Sequence, residues 1–167
     1  MNTLVLNIFR FLILLTLQIL LFNNINLFGY INPYPYLLFV LLFPVNGNRF
    51  SLLFFSFLIG LSVDIFAESG GVHAFASTIL AFVRPNLFRF SFGLSYEYQT
   101  IKIAENLSPE RITFILLAIF IHHICLFFLE AFRFDLFFDV ILKTLYTSIF
   151  TLIICLLIIY LIKPSKR

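Results

Sequence analysis

The stretch from Phe55 to Phe75, FSFLIGLSVDIFAESGGVHAF, decides the fold class. It is an apolar run of membrane length that carries one carboxylate, Asp64, breaks between Ala67 and Gly71, and turns straight back into apolar sequence. A carboxylate at mid-membrane costs about 2.5 to 3.5 kcal/mol on insertion scales, so Asp64 is expected to face protein or water. Gly60 lies four residues earlier and shares a helix face with it. Without a side chain there, a neighbouring helix can come close enough to shield the carboxylate or donate to it.

Composition extends this reading to the whole chain. With 62% hydrophobic residues, 11% charged residues and 25 phenylalanines in 167 residues, there is too little polar surface to cover a soluble domain. Lipid admits only helices or closed barrels. A barrel needs strands of about ten residues that alternate inside and outside, whereas most of this chain reads as continuous apolar blocks. The expected fold class is therefore all-α, a single transmembrane domain over 1–167 built as a six-helix bundle. Cys125 and Cys155 both sit within apolar spans, which argues against a disulfide framework.

The spans are expected near 5–27, 31–45, 50–66, 71–87, 110–129 and 140–162. The first lacks the basic start and small-residue cleavage site of a signal peptide and is expected to stay. Its Gln18 has two readings, a hydrogen bond to a neighbouring helix or a tolerated polar residue in the bundle interior. Asn32-Pro33 reads as a cap and first helical position of the second span, and Pro44 closes it. Fifteen residues from Ile31 to Val45 give only about 22 Å against a hydrocarbon core of about 30 Å, so a re-entrant helix is an alternative there. The fourth span is expected to stop at Arg84-Pro85, and Ser108-Pro109-Glu110 starts the fifth. All six prolines then fall at span ends or in loops.

Six spans with a cytoplasmic N-terminus place Arg10, Arg49, Arg84, Arg89, Lys102, Arg111, Lys163, Lys166 and Arg167 inside, against Arg133 and Lys143 outside or just within the sixth span. That bias predicts a multi-pass protein with both termini cytoplasmic. Asp64 then lies near the outer end of the third span and Glu68 in the outer loop.

Two readings of this outer break stand side by side. Asp64 with Glu68 could bind a cation or relay protons; alternatively Asp64 hydrates at the interface or accepts bonds from amides that start the fourth helix, near Gly70, Gly71 and His73. The anchor reading makes Asp64→Asn mild, and the coupled reading makes it inactive but still membrane-inserted. His73 could pair with Asp64 or Glu68, but no second histidine stands at ligand spacing for a metal. His122 and His123 point about 100° apart on a helix and read best as neutral residues packed between helices. Thr144, Thr147, Ser148 and Thr151 form a stripe suited to close helix packing, without a nucleophile and base. The segment 88–99, FRFSFGLSYEYQ, alternates apolar and polar residues and reads as a strand or an extended interfacial loop. No catalytic, cofactor-binding or metal-binding set is legible, and no basic nucleic-acid patch.

LTLQILLF in the first span, PYPYLLFVLLFP in the second, GLSVDIFAESGGVHAF, the basic stop at Arg84 and HHICLFFLEAFRF in the fifth span together resemble the bacterial rod shape-determining protein MreD family over nearly the whole length. The resemblance implies a non-enzymatic inner-membrane component of the cell-elongation machinery. Its partners would be MreC, the actin-like MreB, and the glycosyltransferase and transpeptidase that build the lateral wall, in contact with the lipid bilayer and without nucleic acid or cofactor. That family is similar in fold to the substrate-binding membrane subunits of energy-coupling-factor vitamin transporters. A small-molecule binding subunit of a transporter is accordingly the alternative. Gly60, Asp64, Glu68, Gly70, Gly71, His73, Pro44 and Arg84 are the candidate structural and interaction residues.

Overall fold

A computed structural model describes residues 3–29, 31–93, 103 and 108–162. Among them the regular structure is helical, with one isolated antiparallel bridge between Leu27 and Ile31. The α-helices are α1 (Thr3–Leu20), α2 (Leu38–Leu42), α3 (Arg49–Ala67), α4 (Val72–Phe92), α5 (Pro109–Ala131) and α6 (Phe137–Ile162). Four stretches are long and apolar enough to cross a membrane: Val5–Asn24, Arg49–Ala67, Pro109–Ala131 and Phe137–Ile162. The protein is thus a helical membrane protein. At 21 residues α4 is also long enough, about 32 Å. Its basic residues lower its hydropathy, yet Phe75, Phe82 and Phe90 form an exposed stripe at helical spacing.

Local chemistry explains the α3–α4 hairpin. The Asn48 side chain caps α3 by accepting from Phe50 N at 2.8 Å and Ser51 N at 3.2 Å. At the other end Glu68 turns left-handed and its N–H returns to Asp64 O. Gly70 and Gly71 follow with φ of +71° and +98°, a conformation glycine adopts without strain, and α4 begins at once.

The expected second span, 31–45, is replaced by a much shorter element. A 3-10 turn at Pro35–Leu37 runs into the five-residue α2. Asn32 does not cap it; its side chain instead pairs with Asn26, accepting from Asn26 N at 2.7 Å and donating to Asn26 Oδ1 at 3.0 Å. Helix begins at the second proline, Pro35, and ends at Phe43, which is extended (ψ 141°) because Pro44 disfavours helical geometry in the residue before it. Tyr36, Leu37, Leu38, Phe39, Val40 and Leu41 are all fully buried or nearly so. An element apolar all round belongs in a core. The chain from Tyr34 to Phe43 lies inside the bundle, touching α1, α3, α4, α5 and α6.

A helix this short leaves most of its end groups unpaired, and lipid offers them no water. Polar side chains from the surrounding helices take that role. At the start, Gln18 of α1 donates to Pro33 O at 3.1 Å and accepts from Tyr36 N at 3.4 Å, while Thr151 of α6 accepts from Tyr34 N at 3.1 Å. At the end, Arg10 donates to Leu42 O at 3.1 Å and Arg84 donates to Leu41 O and Phe43 O. These bonds also set direction: Gln18 meets the start of the segment and Arg10 its end, so it runs antiparallel to α1.

Arg84 and Pro85 do not stop the fourth span. The helix passes through both and ends at Gly93, whose N–H bonds Arg89 O at 3.0 Å with φ of +79°. Membrane helices tolerate proline where neighbouring helices support the broken ladder, and α4 is packed between α3 and α5. Arg84 is buried and is held by the α2 carbonyls and by the Phe88 ring, 4.8 Å from its guanidinium carbon. The strand reading of 88–99 fails over 88–92, which is helical: Phe88 packs inward on Phe114 with ring centroids 4.3 Å apart, while Phe90 faces out. Residues 94–99 lie outside the described residues.

Candidate functional site

The α3–α4 hairpin brings Asp64 to the first turn of α4. Its Oδ1 accepts from His73 N at 3.0 Å and Ser69 Oγ at 2.5 Å, and its Oδ2 accepts from Ala74 N at 2.8 Å. The donors are the amides of His73, which was among the expected partners, and of Ala74; Gly70 and Gly71, three positions earlier, do not donate to it. A carboxylate here satisfies amides that have no partner within the helix and complements the positive end of its dipole. Gly60, one turn below Asp64, makes the approach possible. A Cβ on Gly60 would stand 2.5 Å from His73 O and 2.6 Å from Ala74 Cα, and would also meet Ser77 Oγ. The two helices cross backbone to backbone at this point.

The His73 ring turns away from both carboxylates. Its Nδ1 lies 3.1 Å from Tyr36 Oη, and on the other side of that hydroxyl lies His122 Nε2 at 2.7 Å. A phenol has one proton and two acceptor lone pairs, so it donates to one imidazole and accepts from the other. Because one ring meets the hydroxyl through Nδ1 and the other through Nε2, the two neutral histidines hold the same tautomer, both protonated on Nδ1 or both on Nε2, and Tyr36 is the pivot of three buried elements. His123 diverges from His122 as its helix position requires: its Nδ1 is 3.0 Å from Ser148 Oγ, and its ring stacks on Phe127 at 5.7 Å. Tyr34 closes the group, with ring centroids 5.1 Å from His73 and 5.5 Å from His123.

The remaining candidates serve the backbone. Gly70 and Gly71 form the turn, Pro44 sets the extended Phe43, and Arg84 caps α2. Glu68 is exposed and contributes its left-handed backbone. The threonine stripe of α6 is buried, with Thr151 and Ser148 bonded to the second segment and to His123. Just past the C-terminal end of α5, Arg133 bonds Asp135 and holds its carboxyl below its ordinary range. Among the described residues, no three His, Cys, Asp or Glu side chains come together to hold a metal ion.

Tyr34 and Tyr36 were not singled out by the sequence. Within PYPYLLFVLLFP the one available signal was that two prolines and two tyrosines precede a block too short to span. Tyr36→Phe removes the pivot and leaves two buried imidazole nitrogens to re-pair. The expected loss is about 1 to 3 kcal/mol, read as a lower unfolding midpoint in detergent with the helical content kept. An unchanged midpoint would mean that the hydroxyl bridge contributes nothing to packing.

The chain matches no family model, no curated protein and no solved structure.

Proposed function

We propose that this chain is a non-enzymatic inner-membrane component of a bacterial cell-elongation complex of the MreD type, which binds MreC and helps to organise MreB and the lateral-wall glycosyltransferase and transpeptidase. The observation that carries the reading is that the bonded polar side chains of the interior join segments of the fold to one another, while Ser56 Oγ, His122 Nδ1, His123 Nε2, Thr144 Oγ1 and Thr147 Oγ1 are buried without a hydrogen-bond partner among the described residues. Tyr36, His122 and His123 are fully buried, Asp64 and Arg84 nearly so, and the polar side chains cap the second segment, anchor α4 or bridge helices. A small-ligand site needs convergent polar groups facing a cavity. What the protein offers outward is apolar surface, including Phe9, Phe50 and Phe138 on helices and Phe28 and Phe132 beside them, of the kind that packs on another membrane protein.

In this reading the six segments form one bundle, for which the MreD resemblance implies a likeness to energy-coupling-factor substrate-binding subunits. The end that carries Arg10, Arg49, Arg89 and Arg111 faces the cytoplasm by charge bias. Reporter fusions after Gly47 and Gly93 should therefore read inside, and fusions after Gly71 and Arg133 outside; an outward reporter at Gly93 would overturn the arrangement.

Co-purification in mild detergent tests the function. A single-span partner with a large outer domain is the expected companion. Recovery of a nucleotide-hydrolysing module together with a bound vitamin would replace this reading with the transporter one.

A further inference from the structure

The hydroxyls of α6 depart from the habit of the other helices. Serine and threonine within a helix commonly donate back to the carbonyl one turn earlier, and Ser62, Ser77, Thr78 and Thr113 each bond the carbonyl four residues before them. On α6, Ser148 instead meets His123 Nδ1 and Thr151 meets Tyr34 N. Thr144, one turn before Ser148, and Thr147, next to it, are fully buried, and their Oγ1 atoms have no hydrogen-bond partner among the described residues. The same holds for His122 Nδ1 and His123 Nε2 on α5, the helix packed against α6. His123 reaches the stripe through its other nitrogen, and the two imidazole rings lie 5.4 Å apart, so the open atoms belong to one seam. That seam starts beside Lys143, the neighbour of Thr144, which is part-exposed and bonds the exposed Glu130.

We propose that the α5–α6 seam binds internal water, with Thr144 Oγ1, Thr147 Oγ1, His123 Nε2 and His122 Nδ1 as its partners on the protein. A buried polar group without a partner is costly, and lipid supplies no solvent to relieve it, so four in one seam call for a guest. The chemistry of the four atoms selects which guest. A hydroxyl both donates and accepts, whereas an imidazole nitrogen does one or the other according to its tautomer. His122 Nδ1 is a donor if Tyr36 donates to His122 Nε2, and an acceptor if Tyr36 accepts from it. A guest that itself donates and accepts fits the set in either case; a metal cation or an acceptor-only anion does not. A charged guest would also lie uncompensated, because Lys143 and Glu130 already neutralise one another. Water meets both conditions, and a buried water typically makes about three bonds of this kind. The inference goes beyond the MreD reading and does not depend on it, since it rests on the seam alone.

Valine has nearly the shape of threonine without the hydroxyl, so its effect on stability changes sign with the state of the seam. Where the seam is dry, Thr144→Val and Thr147→Val each remove an unsatisfied group and raise the unfolding midpoint in detergent. Where the seam is hydrated, each removes a partner of the bound water, and the expected result is a midpoint lowered by about 2 to 4 °C in both variants. Solid-state NMR of the unsubstituted protein in lipid gives a second, independent measurement. Polarisation that starts on water protons should reach the Thr147 and His123 side chains before that of Leu126, which is as deeply buried and lies nearer the end of α5 that carries Glu130. Arrival at Leu126 first, or at all three together, overturns the proposal, as does a midpoint that either valine variant leaves unchanged or raises.

Discussion

Gly60→Leu is expected to leave almost no folded protein in the membrane. A side chain at this position meets His73 O and Ala74 Cα, which are backbone atoms of α4 and cannot rotate aside. Overpacking in a core typically costs about 1 to 3 kcal/mol, and here it cannot be relieved without moving α4. The same two residues of α4 donate their amides to Asp64, so separating the helices also strains bonds to a carboxylate, each worth about 1.5 to 3 kcal/mol. Together these losses approach the total stability of an ordinary domain, about 5 to 15 kcal/mol. Gly60→Ala should show a smaller defect of the same kind, because its Cβ alone makes the clash. Membrane abundance and the unfolding midpoint in detergent measure both, and wild-type behaviour of Gly60→Ala would refute the close crossing.

Asp64→Ala should be nearly as damaging, for a different reason. It removes the acceptor for His73 N, Ala74 N and Ser69 Oγ together, and each buried donor left unpaired costs about 1 to 3 kcal/mol. Asp64→Asn is not the mild change that a single anchoring bond implies. Both carboxylate oxygens accept, so the carboxamide must turn its NH2 toward an amide donor whichever way it is placed. An intermediate loss of stability is the expected result, with the unfolding midpoint ordered wild type, Asn, Ala. Equal midpoints for Asn and wild type would show that only one of the two oxygens matters.

The hairpin was legible in the sequence because its determinants are close together. Gly60 and Asp64 share a helix face, the turn glycines follow at once, and the donors lie nine and ten residues from the carboxylate. The second segment was not legible, because what permits a short helix within the membrane is spread along the chain. Its caps come from Arg10, Gln18, Arg84 and Thr151, and the last of these is 117 residues from Tyr34. Arg10 and Arg84 read as charges at span ends, Gln18 as a helix-bonding or tolerated polar residue and Thr151 as part of a packing stripe, while their partners in the second segment were unknown. Arg84 beside Pro85 reads as a stop by every local rule, and packing on both sides of α4 overrides those rules. Alternation over 88–92 misled in the same way: Phe88 and Phe92 lie one helical turn apart, 5.6 Å between ring centroids, and Phe90 lies opposite. Tyr36 reached significance only when α4 and α5 placed an imidazole on each side of it.

The central claim is that the buried carboxylate and its neighbours act by holding helices together. The measurement that bears on it most directly is partner recovery and rod-shape maintenance per membrane-inserted molecule for Asp64→Asn, with Tyr36→Phe alongside. The structural account predicts that activity falls only in proportion to the amount of folded protein, and that raising expression restores it. Asp64→Asn protein present at the normal level, with a normal unfolding midpoint and no activity, would contradict it.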